Sequence, residues 1–155
     1  MALNTEFIGR TYPATEPYLV GREKIREFAR SLGETSPLFF GVAAAQSAGY
    51  ADLIAPPTFA IVVSMNAGAQ VVFDPELGLD YTRVVHGDQK FLHHRVITAG
   101  DSLTCLVSVD DIRSVAGNDM ITVKADIHLW TGDLSTGEPV TTVYSMLLSR
   151  GTDAA

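Results

Sequence analysis

The stretch Pro56-Pro57-Thr58-Phe59-Ala60-Ile61-Val62-Val63-Ser64-Met65-Asn66-Ala67-Gly68-Ala69-Gln70-Val71-Val72-Phe73 decides the fold. Two prolines open it. Proline is accommodated in the first turn of a helix, where its missing N–H has no intrahelical bond to lose. From Thr58 onward the residues are apolar nearly all round. That predicts a helix over 58–73, roughly 24 Å long at 1.5 Å per residue, wrapped by other structure rather than laid on a surface. Residues 53–73 carry no charge, yet Pro56, Pro57, Asn66 and Gln70 interrupt them. A buried core helix fits this better than a membrane span.

The material to cover such a helix lies downstream. Leu103, Cys105, Val107 and Val109 alternate with Thr104, Ser108 and Asp110, with Leu106 the exception. Ile121, Val123, Ala125, Ile127 and Leu129 alternate with Thr122, Lys124, Asp126 and His128. Val140, Thr142, Tyr144, Met146 and Leu148 follow the same period, and residues 80–92 read as a further long strand. A period of two means one buried face per strand. The connections Ala116-Gly117-Asn118-Asp119 and Thr131-Gly132-Asp133 carry turn chemistry. Upstream, residues 18–20 read as a short strand. Arg22 to Leu32 reads as a helix with Ile25, Phe28, Ala29 and Leu32 on one face, ended by Gly33. Residues 42–48 read as a short helix closed by Gly49. The expected class is α+β, a curved antiparallel sheet wrapped around one long central helix.

The chain has 155 residues, no internal repeat and no low-complexity linker, so one domain over 1–155 is expected. Eleven basic against eighteen acidic residues give a net charge of -7. That balance argues against nucleic acid or an anionic membrane as partner. Cys105 is the only cysteine, which rules out an internal disulfide and suits a reducing compartment. The start, MALNTEFIGR, lacks a basic segment followed by an apolar run, so a cytoplasmic location is expected.

Four segments, in order, resemble one family. They are Val20-Gly-Arg-Glu-Lys-Ile-Arg-Glu-Phe-Ala29, Leu53-Ile-Ala-Pro-Pro-Thr-Phe59, Arg83-Val-Val-His-Gly-Asp-Gln-Lys-Phe91 and Ala99-Gly-Asp101. Over about residues 5–150 the chain is similar to the MaoC-like dehydratase N-terminal family. In particular it resembles the substrate-binding subunits of two-subunit (3R)-hydroxyacyl-ACP dehydratases. The resemblance implies a hot-dog fold, dimeric association as a homodimer or with a second MaoC-like subunit, and acyl-CoA or acyl-carrier-protein thioester chemistry in fatty-acid metabolism. No cofactor and no metal is implied.

Hydrating an enoyl thioester, or the reverse dehydration, moves a proton at C2 and water at C3, so an acid and a base must reach those atoms. The thioester carbonyl gains negative charge, which N–H donors at a helix N-terminus stabilise. Active members of the resembled family carry a loop Asp-x-Asn-Pro-x-His and a His-Gly dipeptide before the central helix. Here the loop reads Glu34-Thr35-Ser36-Pro37-Leu38-Phe39 and the dipeptide is Pro56-Pro57. The carboxylate is one methylene longer, asparagine is Ser36, and Phe39 cannot transfer a proton. Pro57 has no N–H, which leaves Thr58 as the donor.

Glu34 and His86 are therefore the catalytic candidates, and Ser36, Phe39, Pro57, Thr58, Phe59 and Gln89 the substrate-binding candidates. Each has a plainer role beside it. Glu34 is also a solvated helix-end carboxylate, Ser36 a turn residue, and Phe39 a packing residue or an acyl-pocket wall. Strict alternation puts His86, Asp88 and Lys90 on one face and Gln89 on the other, unless Gly87 marks a bulge. An His86–Asp88 pair is an oriented base or a structural hydrogen bond. The candidacy of Gln89 comes from the resemblance alone. His93 and His94 have no further Cys or His at metal-ligand spacing.

Four functions stay open. The first is a substrate-binding subunit of a (3R)-hydroxyacyl-thioester dehydratase, with catalysis completed by a partner. The second is a self-sufficient hydratase using Glu34 or His86. A hot-dog thioesterase running on one carboxylate, and a non-catalytic acyl-CoA binder, are the others.

Overall fold

Period-two patterning draws five strands into one antiparallel sheet. The computed structural model describes residues 3–133 and 137–151. The strands are β1 (Tyr18–Leu19), β2 (Val84–His93), β3 (Ser102–Val115), β4 (Asn118–Leu129) and β5 (Pro139–Ser149), in the order β1-β3-β4-β5-β2. The helices are α1 (Arg22–Ser31), α2 (Val42–Ser47) and α3 (Ile61–Val72). α3 packs on β3 and β4. It buries Val63, Ser64, Ala67 and Val71 against them. Cys105, Val107, Val109, Ile121, Val123 and Ile127 face it from the sheet, and Ile25, Leu53, Phe59 and Leu77 complete the core. This is the hot-dog arrangement that the resemblance implies. No helix among the described residues is long and apolar enough to cross a membrane.

The central helix differs from expectation in two ways. It begins at Ile61, not Thr58. Residues 57–60 form turns instead, with Phe59 N–H donating to Pro56 O at 2.9 Å and Ile61 and Val62 N–H to Thr58 O and Phe59 O at 3.1 and 3.0 Å. These i→i+3 bonds are the tighter 3₁₀ geometry common at helix ends. Nor is α3 wrapped all round. Met65 is 67% exposed and Phe73, just past its end, 66%. One curled sheet covers one side of the helix, so uniform apolarity overstates burial within a single chain.

The strand expected over 80–92 starts later, at Val84. Asp80 Oδ1 accepts from Thr82 N–H and Oγ1–H at 3.1 and 2.6 Å and caps a 3₁₀ turn, Tyr81–Arg83. Aspartate offers the backbone this local alternative to a ladder. β3 and β4 join through Ala116 and Gly117, with φ of 51° and 79°. Two positive φ values make a type I′ turn, whose twist suits a hairpin.

Register shifts interrupt three ladders, between His86 and Asp88, Val109 and Asp111, and Ile127 and His128. Bulges increase local twist and bend the strand that carries them. The first also corrects an expectation about facing. His86 stands opposite Leu147, which stands opposite buried Ile121. Asp88 stands opposite Met146, which stands opposite Thr122 on the other face. Gly87 is the extra residue. His86 and Gln89 thus share the inner face, while Asp88 and Lys90 occupy the outer one, so the same-face His86–Asp88 pair does not form.

Candidate functional site

The loop after α1 turns inward at Ser36. Its Oγ accepts from Leu38 N–H at 3.4 Å and caps the 3₁₀ turn Pro37–Phe39. That turn delivers Phe39 into the interior, 9% exposed. Farther on, Ala55 N–H donates to Ile97 O at 2.8 Å and Ile54 bridges to Thr98. These bonds tie the Pro56-Pro57 segment to the chain leaving β2.

The three segments line a half-open cavity of about 260 Å³. Phe39 forms one wall, Ile54 to Pro57 a second, and His93 with Arg95 to Ile97 the third. The lining is overwhelmingly apolar. Arg95 brings a charge, but that charge is compensated. Its Nη2 donates to Asp101 Oδ1 at 2.8 Å, its Nη1 to Val96 O at 2.7 Å, and its Nε lies 3.6 Å from a Glu138 oxygen. Asp101 Oδ2 also accepts from Thr98 N–H at 2.9 Å. The Ala99-Gly100-Asp101 turn therefore pins the cavity wall, with Gly100 at φ 97°.

Of the residues expected from sequence, Phe39 and Pro57 meet at this cavity. Glu34 is exposed and off its walls, its N–H held by Ala29 O at 3.0 Å. The Ser36 hydroxyl is occupied as a cap. Thr58 is exposed in the turn before α3, and its N–H has no partner among the described residues. Phe59 is wholly buried, edge-on to Phe28 with ring centroids 5.4 Å apart, and does not line the cavity. Gln89 is half-buried, its Nε2 donating to Tyr144 O at 3.0 Å and its Oε1 accepting from Ser145 Oγ at 2.9 Å. His86 is exposed on the inner face. Lys90 sits over the Tyr144 ring at 5.4 Å, and Arg83 donates to Arg150 O. Cys105 is a core residue, its thiol pushed up to about 12, first by burial and then by the Asp126 charge.

Sequence reasoning missed His93 as part of this site. Alternation along β2 carried the signal, because His93, Phe91 and Gln89 share one face. Their partners Thr141, Val143 and Ser145 stand opposite Ile127, Ala125 and Val123.

Residues 6–143 match the family described as FAS1-like, dehydratase domain region. The chain belongs to this MaoC-like dehydratase family. It is 56% identical over 152 residues to the UPF0336 protein of Saccharopolyspora erythraea, covering 98% of the chain and 94% of that protein. Among solved structures it is similar to a MaoC-like dehydratase, with a TM-score of 0.83 and 33% identity over 95% of the chain. The chain spans 43% of that longer protein. It is also similar to a chain of the C-terminally truncated HadBC (3R-hydroxyacyl-ACP dehydratase) complex from Mycobacterium tuberculosis. There the TM-score is 0.79 and the identity 29%, over 94% of this chain and 99% of that one.

Proposed function

We propose that this chain is the substrate-binding subunit of a two-subunit (3R)-hydroxyacyl-thioester dehydratase, paired with a second MaoC-like chain that carries the aspartate and histidine. One observation carries the reading. Phe39 and Pro57, the two positions where the sequence lacks the expected proton-transfer and donor groups, line the same apolar cavity. An apolar wall in place of an imidazole favours holding an acyl chain over moving a proton. Each buried methylene of such a chain contributes about 0.8 kcal/mol. The similarity to a chain of the HadBC complex supports the pairing. So does the open side of α3 at Met65, which one chain leaves uncovered.

A self-sufficient hydratase fits the geometry less well. Glu34 is exposed and outside the cavity, and the bulge at Gly87 separates His86 from Asp88.

The test is reconstitution. The chain is purified alone and co-expressed with a MaoC-like chain bearing an intact Asp-x-Asn-Pro-x-His loop. The pair is expected to copurify and to hydrate enoyl thioesters, while this chain alone turns over neither enoyl thioesters nor, by thiol release, acyl thioesters. Val96 is 42% exposed on the cavity wall, so Val96→Trp fills the cavity without crowding the core. It is expected to raise KM for longer acyl chains in the pair. A stable homodimer of this chain with full hydratase turnover overturns the reading.

A further inference from the structure

We propose that His93 recognises an oxygen on the acyl chain held in the cavity, and so sets a preference for hydroxyacyl over plain acyl thioesters. The inference rests on the substrate-binding reading above and deepens it.

Three observations converge. First, His93 and Arg95 are the charged or titratable members of the cavity wall. Arg95 turns its terminal nitrogens away from the cavity's ligand: Nη2 donates to Asp101 and Nη1 to the Val96 carbonyl. The remaining nitrogen, Nε, has no hydrogen bond among the described residues but is buried, so the exposed imidazole is the polar group a ligand reaches.

Second, His93 is held in one orientation. Its ring lies parallel to Phe91, with planes 1° apart and centroids 6.1 Å apart. Its Nδ1 lies 3.4 Å from Oγ1 of Thr141, its register partner on β5. Thr141 is wholly buried. Among the described residues its hydroxyl has no other partner. A threonine hydroxyl donates or accepts, so the contact orients the ring in either tautomer. Thr141 is thus a positioning residue.

Third, Nε2 of His93 has no partner among the described residues, and the residue is exposed and lines the cavity. An imidazole fixed at Nδ1 with a free Nε2, in a wall otherwise apolar, distinguishes one oxygen atom from a methylene. Sites built to hydrogen-bond a substrate hydroxyl discriminate against analogues lacking it, because the protein group is then left unpaired.

Titration calorimetry of the full chain tests this with two probes, a (3R)-hydroxyoctanoyl pantetheine thioester and the octanoyl pantetheine thioester. One neutral hydrogen bond corresponds to a preference of about three- to tenfold for the hydroxyacyl probe. His93→Phe keeps the stack on Phe91 and is expected to bind both probes equally. His93→Gln is expected to restore part of the preference. Thr141→Val is expected to lower it without changing octanoyl affinity. Equal binding of both probes by the unmodified chain, or an intact preference in His93→Phe, overturns the role of His93 and leaves the substrate-binding reading standing. Failure of the unmodified chain to bind either probe overturns both.

Discussion

His86 and Asp88 lie on opposite faces of the sheet although one residue separates them. They stand opposite Leu147 and Met146, neighbours on β5, and Gly87 is the extra residue between them. Space there is tight. A Cβ at position 87 would sit 2.7 Å from Cε and 2.9 Å from Sδ of Met146. Those atoms end a flexible side chain. Gly87→Ala is therefore expected to destabilise by about 1 kcal/mol, the low end for overpacking, and a double-mutant cycle with Met146→Ala should remove most of that loss. Gly137→Ala is expected to destabilise by about 3 kcal/mol, because its Cβ would collide with the Leu129 carbonyl oxygen, which cannot swing aside. Urea unfolding of both variants checks the order.

Phe39 stands where a proton-transferring histidine was expected, and it carries packing as well as lining. Phe39→Ala is expected to destabilise by about 3 kcal/mol, the low end for a buried aromatic, because it borders an existing cavity. It should also enlarge the cavity and shift binding towards longer acyl chains. Thermal unfolding and a chain-length series of acyl pantetheine thioesters measure the two effects.

Asp101 holds both Arg95 and the Thr98 amide. Asp101→Ala leaves a partly buried guanidinium short of one partner and is expected to destabilise by about 2 kcal/mol. Asp101→Asn keeps an acceptor for Thr98 N–H and should lose about half as much. Denaturant midpoints of the two variants check the ranking. Equal losses would mean that the charge on Asp101, not the turn, carries the stabilisation.

The Cys105 thiol, pushed up to about 12 by burial, ionises less readily folded than unfolded. The unfolded thiol titrates near about 8.5. The folded state therefore binds the proton more tightly, and stability is full below that value and falls as pH rises through it towards 12. Cys105→Ala is expected to flatten this alkaline loss between pH 8.5 and 10 relative to the unmodified chain. Denaturant unfolding at several pH values tests it. A thiol reagent should react slowly with the native chain and fast in urea.

Much of the fold was legible in sequence because helices and strands impose local periods. The alternation in β3 and β4 marked their buried faces, Gly33 and Gly49 marked helix ends, and Ala116-Gly117 marked the hairpin. Boundaries fared worse where side chains competed locally, as at Asp80, which caps a turn where a strand was expected. The exposure of Met65 was not legible, since apolarity all round a helix does not say how many sides one chain can cover.

By itself the sequence determined the MaoC-like family, and that residues 34–39 hold a carboxylate but no histidine and that Pro56-Pro57 precede the central helix. Those are statements of chemical identity, and they need no coordinates. Only the tertiary structure decided that Phe39, Pro57 and His93 share one cavity, and that His86 and Asp88 do not share a face. The physical reason is common to both. A cavity wall and a strand's facing are set by pairing partners distant in the chain, here the hydrogen bond from Ala55 to Ile97 and the register of β2 against β5.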